Sequence, residues 1–341
     1  MGKNLIFILA LAFVIFSWTP PSSGSASTSP PSKAAAPIIA GCPQFPKDNV
    51  WNAPVDNLPV DPHSNDYITS IGAATGVHPD FGSGLYNNAP IGIPYNVVPG
   101  SQAGVKVIFD YSSESDQGLY PIPPNPLIEG GNGSTGDRHV LLVDQDHCKL
   151  YELFSAYPQT DGSWKTGSGA IWNLASNNLR TDTWTSADAA GLPILPGLVR
   201  YDEVTTGKIT HALRFTANIT RDQHIWPARH DASSHTGTNR PPMGQRFRLK
   251  AGFNISGFSL DVQVILQAMK TFGIILTDNG SDWYISGAAD ERWNNDDLHK
   301  LNQVHGLDFE AIDESGLMVD SNSGQVKGPN LSYHVWVPIV R

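Results

Sequence analysis

The sequence predicts a mainly β protein, an antiparallel β-sandwich of the jelly-roll type with a few short packed helices. Its 32 glycines and 26 prolines are spread along the chain, and charged residues make up only 16% of it. Both observations favour short strands joined by turns over long helices. Several stretches also alternate apolar and polar residues with the two-residue period of a half-buried strand.

The first 26 residues have the pattern of a secretory signal peptide. The cation Lys3 precedes an apolar run over residues 5–16, and the small residues Gly24 and Ala26 stand where cleavage would occur. This run is too short to span a bilayer. Residues 27–41, rich in Ser, Pro and Ala, predict a disordered spacer, and residues 42–341 a single β-rich domain. We therefore expect a secreted protein, extracellular or periplasmic, without a membrane span.

Charge and cysteine content limit the partners and the chemistry. A formal charge of −10 disfavours nucleic acid and anionic membranes as partners. The two cysteines, Cys42 and Cys148, are an even number in an exported chain, which predicts a disulfide between the N-terminal arm and a central strand. The alternative for Cys42 is lipidation, because the preceding residues resemble a lipoprotein cleavage box.

Strands and turns alternate up to residue 217. A helix is predicted to begin at Ser64 and to end at Gly72. Strands are predicted at residues 105–111, 139–144, 149–157, 164–174 and 207–217. The tight turn DQDHC joins the second and third of these strands, and Gly167 and Gly169 mark a bend in the fourth.

The pattern changes beyond residue 240. Arg246, Arg248 and Lys250 alternate along a strand predicted at residues 245–253 and indicate a solvated face. The clearest helix begins after the N-cap Ser259, places its apolar residues on one stripe and ends at Gly273. The remaining predicted elements are strands at residues 274–277, 283–286, 309–312 and 333–340 and a short helix near residues 296–303.

From residue 50 onward the chain resembles a broad group of exported bacterial proteins. The segments that carry the resemblance include WTSADAAGLPILPGLVRYDEV, HALRF, WPARH and DNGSDWYISG, and together they extend over most of the chain after the signal. The resemblance implies a secreted protein folded as one unit. It brings neither an activity nor catalytic residues with it.

Common catalytic motifs are missing from the sequence: it has no G-x-S-x-G, no H-E-x-x-H, no Walker loop and no dinucleotide fingerprint. Catalysis by carboxylates is still compatible with the sequence, because glycoside hydrolysis needs two facing carboxyl groups that can be distant in sequence. Glu152 is the first candidate, since strand alternation puts it on one face with Leu150 and Phe154. Burial would raise the pKa of one carboxyl group, while a nearby arginine would keep the other ionised.

The other candidates lie mainly between residues 172 and 230. The predicted catalytic residues are Glu152, Asp188, Asp202, Glu203 and His211. The predicted substrate-binding residues are Tyr201, Arg214, Trp172, Trp184, Trp226 and His230. A His or Tyr base with an Arg for a uronate would also suit a polysaccharide lyase. The ordinary interpretation of each carboxylate is an ion pair with arginine, and of each tryptophan a place in the core.

The sequence predicts no cofactor, with Ca²⁺ near Asp278 and Asp282 as an alternative to a simple turn. It predicts a secreted carbohydrate-active enzyme, a glycoside hydrolase or a polysaccharide lyase, acting on an extracellular polysaccharide. One alternative is a non-catalytic glycan-binding or envelope-associated protein. Another is a secreted hydrolase of a different bond.

Overall fold

The computed structural model describes residues 36–328. The predicted signal peptide and the strand predicted at residues 333–340 lie outside the described residues. The described part is mainly β, with several small sheets and few short helices, as the sequence predicts. No helix among these residues is long and apolar enough to cross a membrane.

The elements are short, in keeping with the frequent Gly and Pro residues. The strands are β1 (Ile38–Ile39), β2 (Cys42–Pro43), β3 (His78–Asp80), β4 (Leu85–Tyr86), β5 (Ala89–Pro90), β6 (Tyr95–Val98), β7 (Val105–Phe109), β8 (Leu119–Tyr120), β9 (Val140–Asp144), β10 (Lys149–Phe154), β11 (Tyr157–Pro158), β12 (Trp164–Thr166), β13 (Ser168–Asn173), β14 (Leu213–Ala217), β15 (Arg246–Leu249), β16 (Ile274–Asn279), β17 (Tyr284–Ser286) and β18 (Phe309–Ala311). The α-helices are α1 (Ser64–Ile71), α2 (Tyr201–Thr205), α3 (Leu260–Thr271) and α4 (Asn295–Leu298). Helices α1 and α3 begin and end close to their predicted limits.

The largest sheet has six strands in the order β18-β15-β16-β14-β17-β3. Two of its strand pairs are parallel, β14 with β16 and β17 with β3, and the other three are antiparallel. The pairing is therefore mixed, a property that alternation within single strands does not encode. Helix α3 packs against β15 and buries the apolar stripe that its sequence predicts.

A four-stranded sheet, in the order β13-β10-β9-β6, lies between two hydrophobic cores. Leu141 and Val143 of β9 enter the core that also contains the residues of the six-stranded sheet. Val140 and Leu142 point the other way, into a second core shared with β7, β8 and β12. All five residues of β9 are buried, so its continuous apolar run reflects burial on both faces.

The predicted disulfide is confirmed: Cys42 of β2 is bonded to Cys148 in the turn between β9 and β10. Strand β1 pairs with β2 just before the disulfide. Strand β1 therefore lies within residues 27–41, the range predicted as a disordered spacer. The hairpin of β9 and β10 around the DQDHC turn is also as predicted.

The solvated face predicted for residues 245–253 is wrong for its first cation. The side chain of Arg246 is fully buried, and its Nη1 lies 3.2 Å from Oε2 of Glu314. Its other hydrogen bonds go to the carbonyl oxygens of Val50, Ala53 and Phe272. These acceptors come from distant parts of the chain, so the strand's own sequence cannot show that the guanidinium has partners inside the protein.

The strand predicted at residues 207–217 forms only from Leu213 onward, as β14. Its first half leaves the sheet because His211 turns to α2, where its Nε2 lies 3.0 Å from the Glu203 carboxylate. The alternation of apolar residues through His211 is therefore a consequence of burial without strand pairing.

Candidate active site

The ends of strands from both large sheets bring seven charged residues together, and we call this group the carboxylate site. Its members are Asp80, Glu129, Asp137, His139, Asp188, Arg214 and Asp278. Parallel pairing of β3 with β17 sets Asp80 opposite Ser286, and the hydroxyl of Ser286 accepts a hydrogen bond from Arg214. The site thus joins residues that are far apart in sequence.

The loop that carries Glu129 is held by a buried arginine. The Nε of Arg138 donates to the carbonyl oxygen of Ala156 at 3.0 Å. Its Nη1 donates to the carbonyl oxygens of Gly131, Asn132 and Ser134. These bonds fix the loop against the end of β10, so Glu129 has a defined place beside the start of β9.

His139 is a buried cation paired with Glu129. Its Nδ1 lies 2.5 Å from Glu129 Oε2, and its Nε2 lies 3.0 Å from the carbonyl oxygen of Ala187. Because both ring nitrogens face acceptors, both carry a proton. Burial would lower the pKa of His139, but the Glu129 carboxylate outweighs this and raises it to about 9.

Glu129 is correspondingly an ionised carboxylate. Burial acts to raise its pKa, but the charge and the hydrogen bonds of His139 outweigh burial and lower it. The side chain of Glu129 is 24% exposed, whereas that of His139 is 3% exposed. The carboxylate therefore faces solvent while its counter-ion is enclosed.

Asp188 and Arg214 form a second, fully enclosed ion pair. Arg214 of β14 donates through Nε at 3.0 Å and Nη2 at 2.7 Å to the two oxygens of Asp188. The Asp188 backbone is itself fixed, since its N–H donates to the hydroxyl of Ser186 at 2.9 Å. The third Arg214 nitrogen donates to Ser286, so each nitrogen of the guanidinium has a partner within the protein.

Asp278 of β16 stands at the solvent side of this ion pair. Its Oδ2 lies 3.8 Å from Arg214 Nη2, and its side chain is 24% exposed. Burial and then the charge of Asp188 raise the pKa of Asp278 well above its usual range. The site consequently presents two partly exposed carboxyl groups whose pKa values are shifted in opposite directions, that of Glu129 downward and that of Asp278 upward.

The remaining acids, Asp80 and Asp137, are exposed at the same site. Loss of hydration and then the charge of Glu129 raise the pKa of Asp80. Ligand atoms of Glu129, Asp137 and His139 lie within 4.8 Å of one another, the spacing of a metal site. His139 offers no lone pair to a metal, however, because both of its nitrogens carry protons.

The predicted Ca²⁺ ligands Asp278 and Asp282 have different partners. Asp282 Oδ1 accepts a hydrogen bond from the backbone N–H of Asn218 at 2.8 Å. Asp278 instead faces Arg214, a cation that disfavours Ca²⁺ at the same carboxyl group. The segment between them joins β16 to β17 as a turn.

A cavity of about 230 Å³ is lined in part by residues that neighbour the carboxylate site in sequence. Its lining is Pro94, Tyr95, Leu127, Arg200, Tyr201, Asp202, Ala288, Ala289 and Asp290. Leu127 belongs to the loop of Glu129, and Ala288 follows Ser286 closely in sequence. The ring of Tyr201 packs edge-on against Trp293, with 4.8 Å between the ring centroids.

The structure places the predicted catalytic residue Glu152 deep in the core. Its side chain accepts hydrogen bonds from the backbone N–H groups of Ile194 at 3.0 Å and Leu195 at 2.9 Å, and from Trp172 Nε1 at 3.2 Å. Strand alternation correctly predicts that it faces apolar neighbours. With 0% of its surface exposed, it holds the connection 189–198 and cannot touch a polymer.

Asp202, Glu203 and His211 do not join Glu152. Asp202 is exposed and pairs with Arg292 at 2.7 Å. Glu203 is paired with Arg200 at 2.8 Å and with His211 at 3.0 Å. The second ring nitrogen of His211 is 2.7 Å from the carbonyl oxygen of Ala212. The pairs of Glu203 are buried and that of Asp202 is exposed, and all of them are ion pairs, the ordinary interpretation that the sequence leaves open.

The predicted substrate-binding residues also do not lie together in one site. Trp172 is buried beside Glu152, and Trp184 and Trp226 are half-buried. Nδ1 of His230 bonds to the carbonyl oxygen of Ala189 at 2.7 Å. Tyr201 lines the cavity, whereas Arg214 is buried in the carboxylate site.

Of the predicted catalytic residues, only Asp188 belongs to the carboxylate site. Glu129 and His139 were missed as a pair, although His139 opens the all-apolar strand of the DRHVLLVD segment. Asp278 was singled out only as a possible Ca²⁺ ligand. The sequence feature that points to a site at Asp278 is its position directly after the apolar run IILT.

No protein-family model, no curated protein and no solved structure matches this chain. The interpretation of the site accordingly depends on its own chemistry.

Glu152→Gln is expected to change the pH dependence of stability. Burial raises the pKa of Glu152 from 4.5 to about 7, so the folded wild type binds a proton that the unfolded chain releases above pH 4.5. Wild-type stability should therefore fall relative to the variant as pH rises from 4.5 to about 7, by up to roughly 3 kcal/mol. Urea denaturation of both proteins at about pH 4.5 and above pH 7 measures this difference. A constant difference would contradict it.

Proposed function

We propose that this protein is an exported glycoside hydrolase that cleaves an extracellular polysaccharide at the carboxylate site. The observation that carries the proposal is a pair of partly exposed carboxyl groups whose pKa values are shifted in opposite directions, that of Glu129 lowered by His139 and that of Asp278 raised by burial and Asp188. Glycosidases need this division between an acid and a base or nucleophile.

In the proposed reaction, Asp278 donates its proton to the glycosidic oxygen as the bond to the leaving sugar breaks. Glu129 either attacks the anomeric carbon or takes a proton from the water that does. The carboxylate left on Asp278 is 3.8 Å from Arg214 Nη2, which stabilises the new charge. His139 keeps Glu129 ionised, and the surrounding carboxylates stabilise a positively charged sugar in the transition state.

Hydrolysis is favoured over the lyase alternative by the bonding of Arg214. A lyase needs a cation to neutralise a uronate carboxylate, but Arg214 already donates to Asp188 and Ser286. The disulfide supports export, because disulfides persist in oxidising compartments. A sandwich arrangement of the two larger sheets remains part of the proposal, and the core that they share is its support.

The cavity beside the site favours a second candidate, a non-catalytic glycan-binding protein. Tyr95 and Tyr201 line it together with the polar groups of Asp202 and Asp290. Aromatic rings next to carboxylates are typical of sugar-binding surfaces, since the rings pack on the apolar faces of sugars and the carboxylates accept their hydroxyl protons.

Release of reducing ends from a polysaccharide panel tests the proposal. Wild type is compared with Glu129→Gln and with Glu310→Gln, a matched control. The Glu310 carboxylate is 22% exposed and paired with Arg248, away from the site. The hydrolysis rate of Glu129→Gln should be at least about 100-fold lower than that of the wild type, and the rate of the control should be unchanged. Binding without product release by the wild type would contradict the proposal and support the glycan-binding alternative.

A further inference from the structure

The carboxylate site has an excess of negative charge. Five carboxyl groups, those of Asp80, Glu129, Asp137, Asp188 and Asp278, share the site with only two cations, His139 and Arg214. Carboxyl groups therefore outnumber cations at the site by five to two. The site is thus electrostatically unfavourable for an anionic ligand.

Every side-chain nitrogen of both cations also has a hydrogen-bond partner within the protein. His139 uses one nitrogen on Glu129 and the other on the carbonyl oxygen of Ala187. Arg214 directs its Nε and Nη2 to Asp188 and its Nη1 to Ser286. A ligand carboxylate would make His139 give up a buried bond, and it would have to reach Arg214, whose side chain is only 5% exposed; both are costly.

The arginine that lines the cavity, and a more exposed arginine beside Tyr201, are also paired. Arg200 pairs with Glu203, and its other terminal nitrogen donates to Gln44. Arg292, beside Tyr201, bridges Asp202 and Asp290. Within residues 36–328, therefore, each guanidinium of the site and of the cavity is already matched by a carboxylate of the protein.

We infer that the sugar units bound at the carboxylate site carry no carboxylate, so that the substrate is a polysaccharide of neutral or cationic amino sugars and not a uronan. This inference rests on the proposed function and adds the charge class of the substrate. A sugar carboxylate would face like charges without a free partner, and such juxtapositions are strongly disfavoured. A hydroxyl or a protonated amine would instead donate to Glu129, Asp80 or Asp137.

Matched polymer pairs test the inference. Neutral glucans and chitin-type polymers are each compared with a derivative of the same backbone in which C6 is oxidised to a carboxylate, with chitosan as the cationic member. On a backbone that the wild type cleaves, the neutral or cationic form should react at least about tenfold faster than the carboxylated form. The ratio should shrink near 1 M salt, where the screening length is about 3 Å.

Asp137→Asn provides a second readout, because it removes one exposed charge from the site without changing Glu129 or Asp278. The variant should cleave the carboxylated form relatively faster than the wild type does. Equal rates on both members of a pair, or cleavage of uronans alone, would overturn the inference and leave the proposed hydrolase intact. Absence of product from every polymer would overturn the proposed function and the inference with it.

Discussion

Asp278→Asn is expected to lower the rate of polysaccharide hydrolysis by about 100- to 10,000-fold, the usual contribution of a general acid. Asparagine keeps the shape of the protonated carboxyl group but has no acidic proton to give. Stability should change little, because the wild-type group is already neutral: burial and Asp188 raise its pKa well above the usual range.

The leaving group separates the role of Asp278 from that of Glu129. Aryl glycosides with strongly acidic phenols depart without protonation, so Asp278→Asn should cleave them nearly as fast as the wild type, whereas Glu129→Gln should fail on them too. The alkaline loss of activity, which follows deprotonation of Asp278, should also vanish in Asp278→Asn on such substrates. The matched control is Asp282→Asn in the same turn, whose partner is the Asn218 backbone. Equal losses on both classes of substrate would refute the assignment of Asp278 as the acid.

Arg246→Met is expected to have the largest effect on stability, a loss of about 3–5 kcal/mol in the free energy of unfolding. The substitution leaves the Glu314 carboxyl group buried without its cation. It also leaves three backbone carbonyl oxygens without their donor. Urea denaturation near neutral pH measures the loss.

A double variant tests whether the cost arises from the unpaired acid. Arg246→Met combined with Glu314→Leu should recover part of the stability, because a buried ion pair is often replaced by apolar residues at little cost. Arg248→Met is the control, since Arg248 is 12% exposed and its partner Glu310 can be hydrated. A double variant no more stable than Arg246→Met would show that the carbonyl bonds, and not Glu314, account for the effect.

Sequence reasoning succeeds here where the decisive contacts are local. Alternation along β10 correctly orients Glu152 to the core, and the apolar stripe with its Ser and Gly limits correctly defines α3. The pairing of Cys42 with Cys148 follows from their number alone. Each of these depends on the chain a few residues either side, or on a count that admits one solution.

Sequence reasoning fails where the partner of a side chain depends on how distant segments of the chain pack together. Asp80 comes beside Ser286 only through the parallel pairing of β3 with β17, which no pattern in either short strand encodes. The alternating pattern predicts a solvated Arg246, because the carbonyl oxygens that accept its hydrogen bonds belong to distant parts of the chain. Glu152 looked catalytic for a sound reason, its apolar setting, but the donors that meet it belong to the backbone of a distant connection.

Strand β9 makes the stability of each hydrophobic core depend on the other. Its alternate residues are buried in different cores. If one core unfolds, one face of β9 becomes exposed, and the strand can no longer hold its other face in the second core. The two halves should therefore lose their structure in one cooperative transition. Since His139 directly precedes β9, the charge that holds Glu129 ionised should persist up to that transition and disappear with it.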